Sequence, residues 1–174
     1  MLNPLHIVQD GLYVVSETED LTSVACTVEV ENFGAEATAS VSFQLLSTDR
    51  GVVFKDETQS ATIPADGSYT FKLNMTVTEK LEQWSIQSPT VYWLNAFLIT
   101  GKDNLADNVT TLTGFRSTRW DANTGFYLNG NNFNLRGFSH HNSMAGLGVV
   151  LSDRIHLFRV QTSKALGANI WRMR

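Results

Sequence analysis

The chain has 174 residues, of which 43% are hydrophobic and only 17% charged, and its formal net charge is −4. This length holds one or two small domains, and the low charged fraction favours a β-rich chain over long solvated helices. An acidic chain without clustered Lys and Arg is not expected to bind nucleic acid, and no apolar run approaches the roughly 20 residues of a membrane span.

Residues 11 to about 116 have the pattern of short β-strands separated by turns. Apolar and polar residues alternate with a period of two, as in half-buried strands, over residues 24–31, 41–45 and 69–77. The more continuously apolar residues 92–99 predict a central strand that is buried on both faces. About seven strands over some hundred residues indicate an immunoglobulin-like β-sandwich of two sheets.

The pattern changes after residue 117. Asn129 and Gly130 lie between apolar runs, which is a strong signal for a β-hairpin. Residues 135–138 predict a strand, and residues 168–173 predict another. Between the two strands, apolar residues recur at helical spacing.

The predicted helix has start and stop signals. Ser152 is placed as an N-cap, and Asp153 complements the positive end of the helix dipole. Gly167 is placed as the stop. The last forty residues therefore predict one βαβ unit.

Several short motifs follow one another along the chain: Trp84-Ser85 to Tyr92-Trp93 with Pro89, Gly114-Phe115-Arg116, Asn129-Gly130, Leu135-Arg136-Gly137, His141, and Gly167-Ala168-Asn169 with Arg172. Their order and spacing resemble glycoside hydrolase family 2, which includes β-galactosidases, β-glucuronidases and β-mannosidases. The resemblance covers nearly the whole chain.

The resemblance implies two domains. Residues 6–116 would form the family's immunoglobulin-like β-sandwich, and residues 117–174 would open its catalytic (β/α)8 barrel. The expected fold class is mostly β, with the sandwich followed by a β-hairpin and one βαβ unit of an incomplete TIM barrel. The usual preceding jelly-roll domain and about six of the eight barrel strands would be missing, because a whole barrel needs about 250 residues.

The resemblance also implies a retaining β-glycosidase, most closely of the β-galactosidase type, with a carbohydrate substrate in the complete enzyme. Such enzymes use two carboxylic acids about 5 Å apart. In this family both are glutamates on later barrel strands, and one follows an Asn. The last glutamate of this chain is Glu82, and no Asn-Glu pair occurs. The chain is therefore expected to lack both catalytic glutamates and to be inactive alone.

Three residues are predicted to bind substrate. His141 matches the family's His after the first barrel strand, and Asn142 takes the place of the acidic residue often found next. Both are expected to hydrogen-bond sugar hydroxyls. Arg172 matches the arginine that ends the second strand, where a positive charge keeps the nucleophile carboxylate ionised. Arg174 stands where the family has Ser.

Other acidic and imidazole groups have simpler interpretations. Asp121 lies in a turn-like segment and Asp153 at a helix start, which argues against a catalytic pair. His140 and His141 point to opposite faces if they lie on a strand, so they are not expected to share a metal ion. Cys26 is the only cysteine and is expected to be buried and inert. No metal and no cofactor are predicted.

Two further possibilities stay open. The chain could be a non-catalytic sandwich that serves as an interaction or carbohydrate-binding module. Alternatively, it could be complemented by a second chain that carries the rest of the barrel. One βαβ unit buries little surface, so we expect an exposed apolar patch near Ile155, Phe158 and Val160, and hence self-association.

Overall fold

The computed structural model describes residues 3–16, 21–49, 51–77, 81–101 and 104–173. Arg174, the residue that stands where the family has Ser, lies outside these ranges. The chain divides into two compact units, Met1–Ser117 and Thr118–Arg174. Within the described ranges, no helix combines the length and apolar character that a membrane crossing requires.

The first unit is a β-sandwich of two antiparallel sheets. Its described strands are β1 (Leu5–Ser16), β2 (Ser23–Asn32), β3 (Ala37–Leu46), β4 (Val52–Glu57), β5 (Ala61–Ile63), β6 (Gly67–Thr76), β7 (Tyr92–Thr100) and β8 (Asn104–Thr113). One sheet has the order β1-β2-β6. The other has the order β4-β3-β7-β8, with β5 also paired to β3.

The sandwich core is built from alternate residues of both sheets. On β2, every second residue from Val24 to Val30 is fully buried, as the alternation predicts. Phe43 and Leu94 of the other sheet are also fully buried. Burial of each such side chain stabilises the folded state by about 1.5–3 kcal/mol. Burial raises the pKa of the Cys26 thiol to about 12, so this cysteine stays protonated within the core.

Strand β7 is central, as predicted, but only one of its faces is fully buried. Leu94 and Leu98 point into the core, whereas Asn95 is half-buried on the outer face. There its side chain accepts a hydrogen bond from Thr110 at 2.8 Å and donates one to Gln44 at 3.4 Å. The expectation of two buried faces is therefore wrong, because the sheet has core on one side and a polar row on the other.

The second unit contains a β-meander followed by a βαβ unit. Its described elements are β9 (Thr118–Asp121), β10 (Gly125–Leu128), β11 (Asn131–Asn132), β12 (Gly137–His140), α1 (Asp153–Ala165) and β13 (Ile170–Met173). Asn129 and Gly130 join β10 to β11 with φ values of +50° and +76°, as a type I′ hairpin requires. The predicted hairpin is confirmed, and β9 adds a third strand to it.

Helix α1 connects two parallel strands, β12 and β13. It ends where predicted: Gly167 has φ +86°, and its N–H donates to the carbonyl of Lys164 at 3.0 Å. The N–H of Ala168 donates to the carbonyl of Ser163 at 3.0 Å, which completes a Schellman motif. Ser152 takes the N-cap position, although its side chain makes no capping hydrogen bond within the described residues.

Candidate functional site

Asn169 fixes the start of the two parallel strands. Its side-chain oxygen accepts from the N–H of Arg136 at 2.8 Å, and its amide nitrogen donates to the carbonyl of Asn134 at 2.9 Å. Its own N–H donates to the carbonyl of Arg136 at 2.8 Å. The asparagine of the Gly-Ala-Asn motif thus holds β12 against β13, and Arg136 takes part through its backbone.

The register of the strands decides which residues share a face. Ser139 lies beside Arg172, and Phe138 lies beside Trp171. Phe138 and Trp171 line a hollow of about 300 Å³ together with residues of α1. Because side chains alternate along a strand, Ser139 and Arg172 lie on the face away from the helix. His141 is the first residue after the end of β12, two positions beyond Ser139.

The predicted site residues therefore come to one edge of the strand pair. His141 and Asn142 follow directly after β12, and Arg172 is the penultimate residue of β13. All three are exposed. Since the strands are parallel, their carboxyl ends meet at the same edge, which is the edge that carries sites in α/β folds.

Arg159 is a residue that the sequence analysis did not single out. It lies on α1, and its Nη2 donates to the carbonyl of Ser143 at 2.6 Å. Its Nη1 contacts Nε2 of His140 and donates to the carbonyl of His141 at 3.4 Å. The signal that could have revealed it is a charged residue one turn after Ile155, within the helix's apolar stripe.

His140 faces the helix and not the edge that carries His141. Its ring meets Trp171 edge-on, with the centroids 4.9 Å apart. Partial burial lowers the pKa of His140, and the nearby charges of Arg159, His156 and His141 lower it further. His140 is therefore a neutral hydrogen-bond acceptor at pH 7 that supports the strand pair, on the opposite face from its neighbour.

Asp121 is engaged in a turn. Its Oδ1 accepts from the N–H groups of Asn123 and Thr124, both at 2.9 Å. Hydrogen bonds from these residues, foremost Thr124, hold the pKa of Asp121 below its ordinary value. A carboxyl group kept ionised in this way is unsuited to donate a proton.

The apolar patch near the helix is present in part. Phe158 is 57% exposed and Val160 is 45% exposed, whereas Ile155 is half-buried. Exposed apolar side chains on one helix favour association with another surface. Self-association itself remains a prediction.

Comparisons with known proteins point to one family. Residues 5–116 match the sequence model described as glycosyl hydrolases family 2. A β-glucuronidase of Bacteroides fragilis is 26% identical over 99% of this chain and 25% of its own length. The β-galactosidase BoGH2A of Bacteroides ovatus is 26% identical over 95% of this chain and 20% of its own length.

A solved structure gives the same result. The crystal structure of a Bacteroides uniformis β-glucuronidase superposes with a TM-score of 0.87 and 26% identity, over 98% of this chain and 21% of that one. The chain spans a quarter or less of the length of the curated relatives that it matches. The likeness includes both the sandwich and the βαβ unit, since it covers nearly all of this chain.

Proposed function

Because the chain belongs to glycosyl hydrolases family 2, we propose that it is part of a retaining β-glycosidase and contributes sugar-binding residues without a catalytic carboxylate. The observation that carries this proposal is the position of His141, Asn142 and Arg172 at the carboxyl ends of two parallel strands. This is the edge at which barrel enzymes hold their substrates. In the proposed enzyme, residues 6–116 form the immunoglobulin-like domain and residues 117–174 open the barrel.

The side chains at this edge suit a sugar and a carboxylate. An imidazole and an amide can each donate to and accept from hydroxyl groups, as His141 and Asn142 are proposed to do. The guanidinium of Arg172 is always charged, so it lowers the pKa of a carboxylate placed beside it. That is the requirement of a carboxylate nucleophile, which must be ionised to attack.

The catalytic carboxylates are proposed to come from outside these 174 residues. Glu82, the last glutamate, lies in the sandwich, where it accepts a hydrogen bond from Thr90 at 3.2 Å. The carboxylate of Asp121 is held in its turn, and Asp153 is the first residue of α1. None of these three acids is among the residues that form the proposed sugar edge.

The β-galactosidase type is the first substrate proposal, as the sequence resemblance suggests. β-Glucuronides are the second, because relatives bearing the name β-glucuronidase match most of this chain. A hexuronate differs from a hexose in a carboxylate at C6. The two classes are separable by assay with matched chromogenic substrates.

The test compares the 174-residue chain with the protein encoded by the whole reading frame that contains it. Both are assayed on chromogenic β-galactoside, β-glucuronide and β-mannoside. We expect turnover only from the protein of the whole reading frame. There, His141→Ala and Arg172→Ala should each lower kcat/KM by about 100-fold, the effect of misplaced reacting groups.

Arg154→Ala is the matched control, because Arg154 is exposed on α1 and outside the proposed site. Turnover by the 174-residue chain that falls in a His141→Ala, Arg172→Ala variant would overturn the proposal. Carbohydrate binding without turnover in either protein, unaffected by both substitutions, would instead favour the non-catalytic sandwich module.

A further inference from the structure

We propose that Arg159 is a positioning residue: it holds the loop after β12 so that His141 and Asn142 face the sugar. This inference rests on the function proposed above and names the group that orients its site. Arg159 lies on α1, on the helix side of the strand pair, whereas Arg172 belongs to the opposite face by alternation and His141 follows the end of β12. It therefore acts through the backbone.

Arg159 contacts the backbone before and after Asn142. Arg159 donates to the carbonyl of His141 at 3.4 Å and to the carbonyl of Ser143 at 2.6 Å. Asn142 lies between these two carbonyl groups in the chain. The two carbonyls belong to the peptide units 141–142 and 143–144, so only the dihedrals of Asn142 and Ser143 lie between them. Fixing both units restricts the backbone of these two residues, and hence the direction of the Asn142 side chain.

A third contact anchors the guanidinium. Arg159 also contacts Nε2 of His140, and because a guanidinium can only donate, that nitrogen must accept. The imidazole is therefore neutral, with its proton on Nδ1. Trp171 packs edge-on against the same imidazole ring, which limits the orientations open to the acceptor of Arg159.

Lysine cannot reproduce this arrangement. The planar guanidinium presents its donors as a rigid fork, here directed at three acceptors on residues 140, 141 and 143. An ammonium group is a single point of charge. Arg159→Lys thus keeps the positive charge and the helix but loses the paired hydrogen bonds to the carbonyls of His141 and Ser143. The variant therefore distinguishes positioning by the guanidinium from the effect of its charge.

The test uses the full 174-residue chain labelled with ¹⁵N. Backbone order parameters of residues 141–143 are measured in the original chain, Arg159→Lys and Arg159→Ala, with Arg154→Ala as the control on the same helix. Signals of β12 and β13 report whether each variant keeps its fold. The imidazole nitrogen shifts of His140 report its tautomer.

We expect order parameters of about 0.85 in the original chain and in Arg154→Ala, and a fall below about 0.6 in both Arg159 variants. The Nε2 signal of His140 should move in both as well. Unchanged order of residues 141–143 in a folded Arg159→Lys variant would overturn the inference.

A second measurement separates this inference from the proposed function. Chemical-shift titrations with methyl β-galactoside and methyl β-glucuronide should show about fivefold to tenfold weaker binding in Arg159→Lys, the loss of roughly one hydrogen bond. Equal binding in both chains would overturn the positioning role and leave the proposed function standing. If the original chain binds neither sugar but its loop still depends on Arg159, sugar binding by these 174 residues alone fails, and with it the role inferred for that loop.

Discussion

Gly137 lies so close to Ile170 that a β-carbon built on the glycine would be 1.8 Å from the backbone carbonyl oxygen of Ile170. The two residues are direct partners in the parallel register of β12 and β13. The obstructing atom belongs to the backbone of a paired strand, so it cannot move without breaking the ladder. This contact gives a steric reason for the glycine of the Leu-Arg-Gly motif.

Replacing Gly137 by Ala should separate the two strands. We expect the free energy of unfolding of the second unit to fall by about 1–3 kcal/mol, the usual cost of overpacking. Loss of the NMR signals of β12 and β13, with the signals of the sandwich retained, would show it. Ser139→Ala on the same strand is the control, and retention of the strand signals in Gly137→Ala would contradict the steric account.

Asn169 should be sensitive to changes that keep its size. Asn169→Asp keeps the oxygen that accepts from Arg136 but loses the donor to the carbonyl of Asn134. Asn169→Ala loses both hydrogen bonds. At about 1 kcal/mol for each bond, the expected losses are about 1 and 2 kcal/mol. Urea unfolding followed by the indole N–H signal of Trp171 measures them, and equal stability of the two variants would show that the oxygen accepting from Arg136 contributes nothing.

The hairpin makes a separate prediction about conformation. At Gly130, φ is +76° and a β-carbon would meet no atom within 4 Å, so only the backbone geometry opposes a larger residue. Gly130→Ala should destabilise the hairpin by about 1–2 kcal/mol. Asn129→Gly, at φ +50°, should change the stability by no more than about 0.5 kcal/mol. Thermal unfolding of both variants tests the difference, and an equal effect of the two would argue against a type I′ turn.

Much of the fold follows from local patterns. The alternation in β2, the Asn-Gly hairpin and the stop at Gly167 all depend on a few neighbouring residues, and each is confirmed. The start of β1 was missed because a bulge between Ile7 and Leu12 breaks the alternation. The outer face of β7 was mispredicted because apolar residues can remain half-buried on a sheet that carries polar partners such as Asn95 and Thr110.

The candidate site was harder to predict from the sequence than the fold. A motif could suggest His141 and Arg172, but whether they share a face depends on the register of two strands more than thirty residues apart in the chain. Arg159 could not be placed at all, because its three acceptors are 16 to 19 residues away. Pairings over such separations are set by tertiary structure and leave little trace in local periodicity.

His140 predicts how the stability of the second unit depends on pH. Its pKa in the folded chain is lowered from the ordinary 6.5, chiefly by desolvation and then by the charges of Arg159, His156 and His141. The unfolded chain therefore binds more protons between the folded pKa and about 6.5. The stabilisation is complete above about pH 6.5 and is lost as the pH falls through that range.

The corresponding experiment is urea unfolding of the second unit from pH 7.5 down to pH 5, followed by the NMR signal of the Trp171 indole N–H. We expect the midpoint to fall on acidification in the original chain. In His140→Gln the side-chain oxygen can still accept from Arg159 but cannot titrate, so this part of the pH dependence should disappear. Arg159→Ala should raise the pKa of His140 and flatten the profile, because the nearest positive charge is removed. An identical pH profile in all three chains would show that protonation of His140 does not limit the stability of this unit.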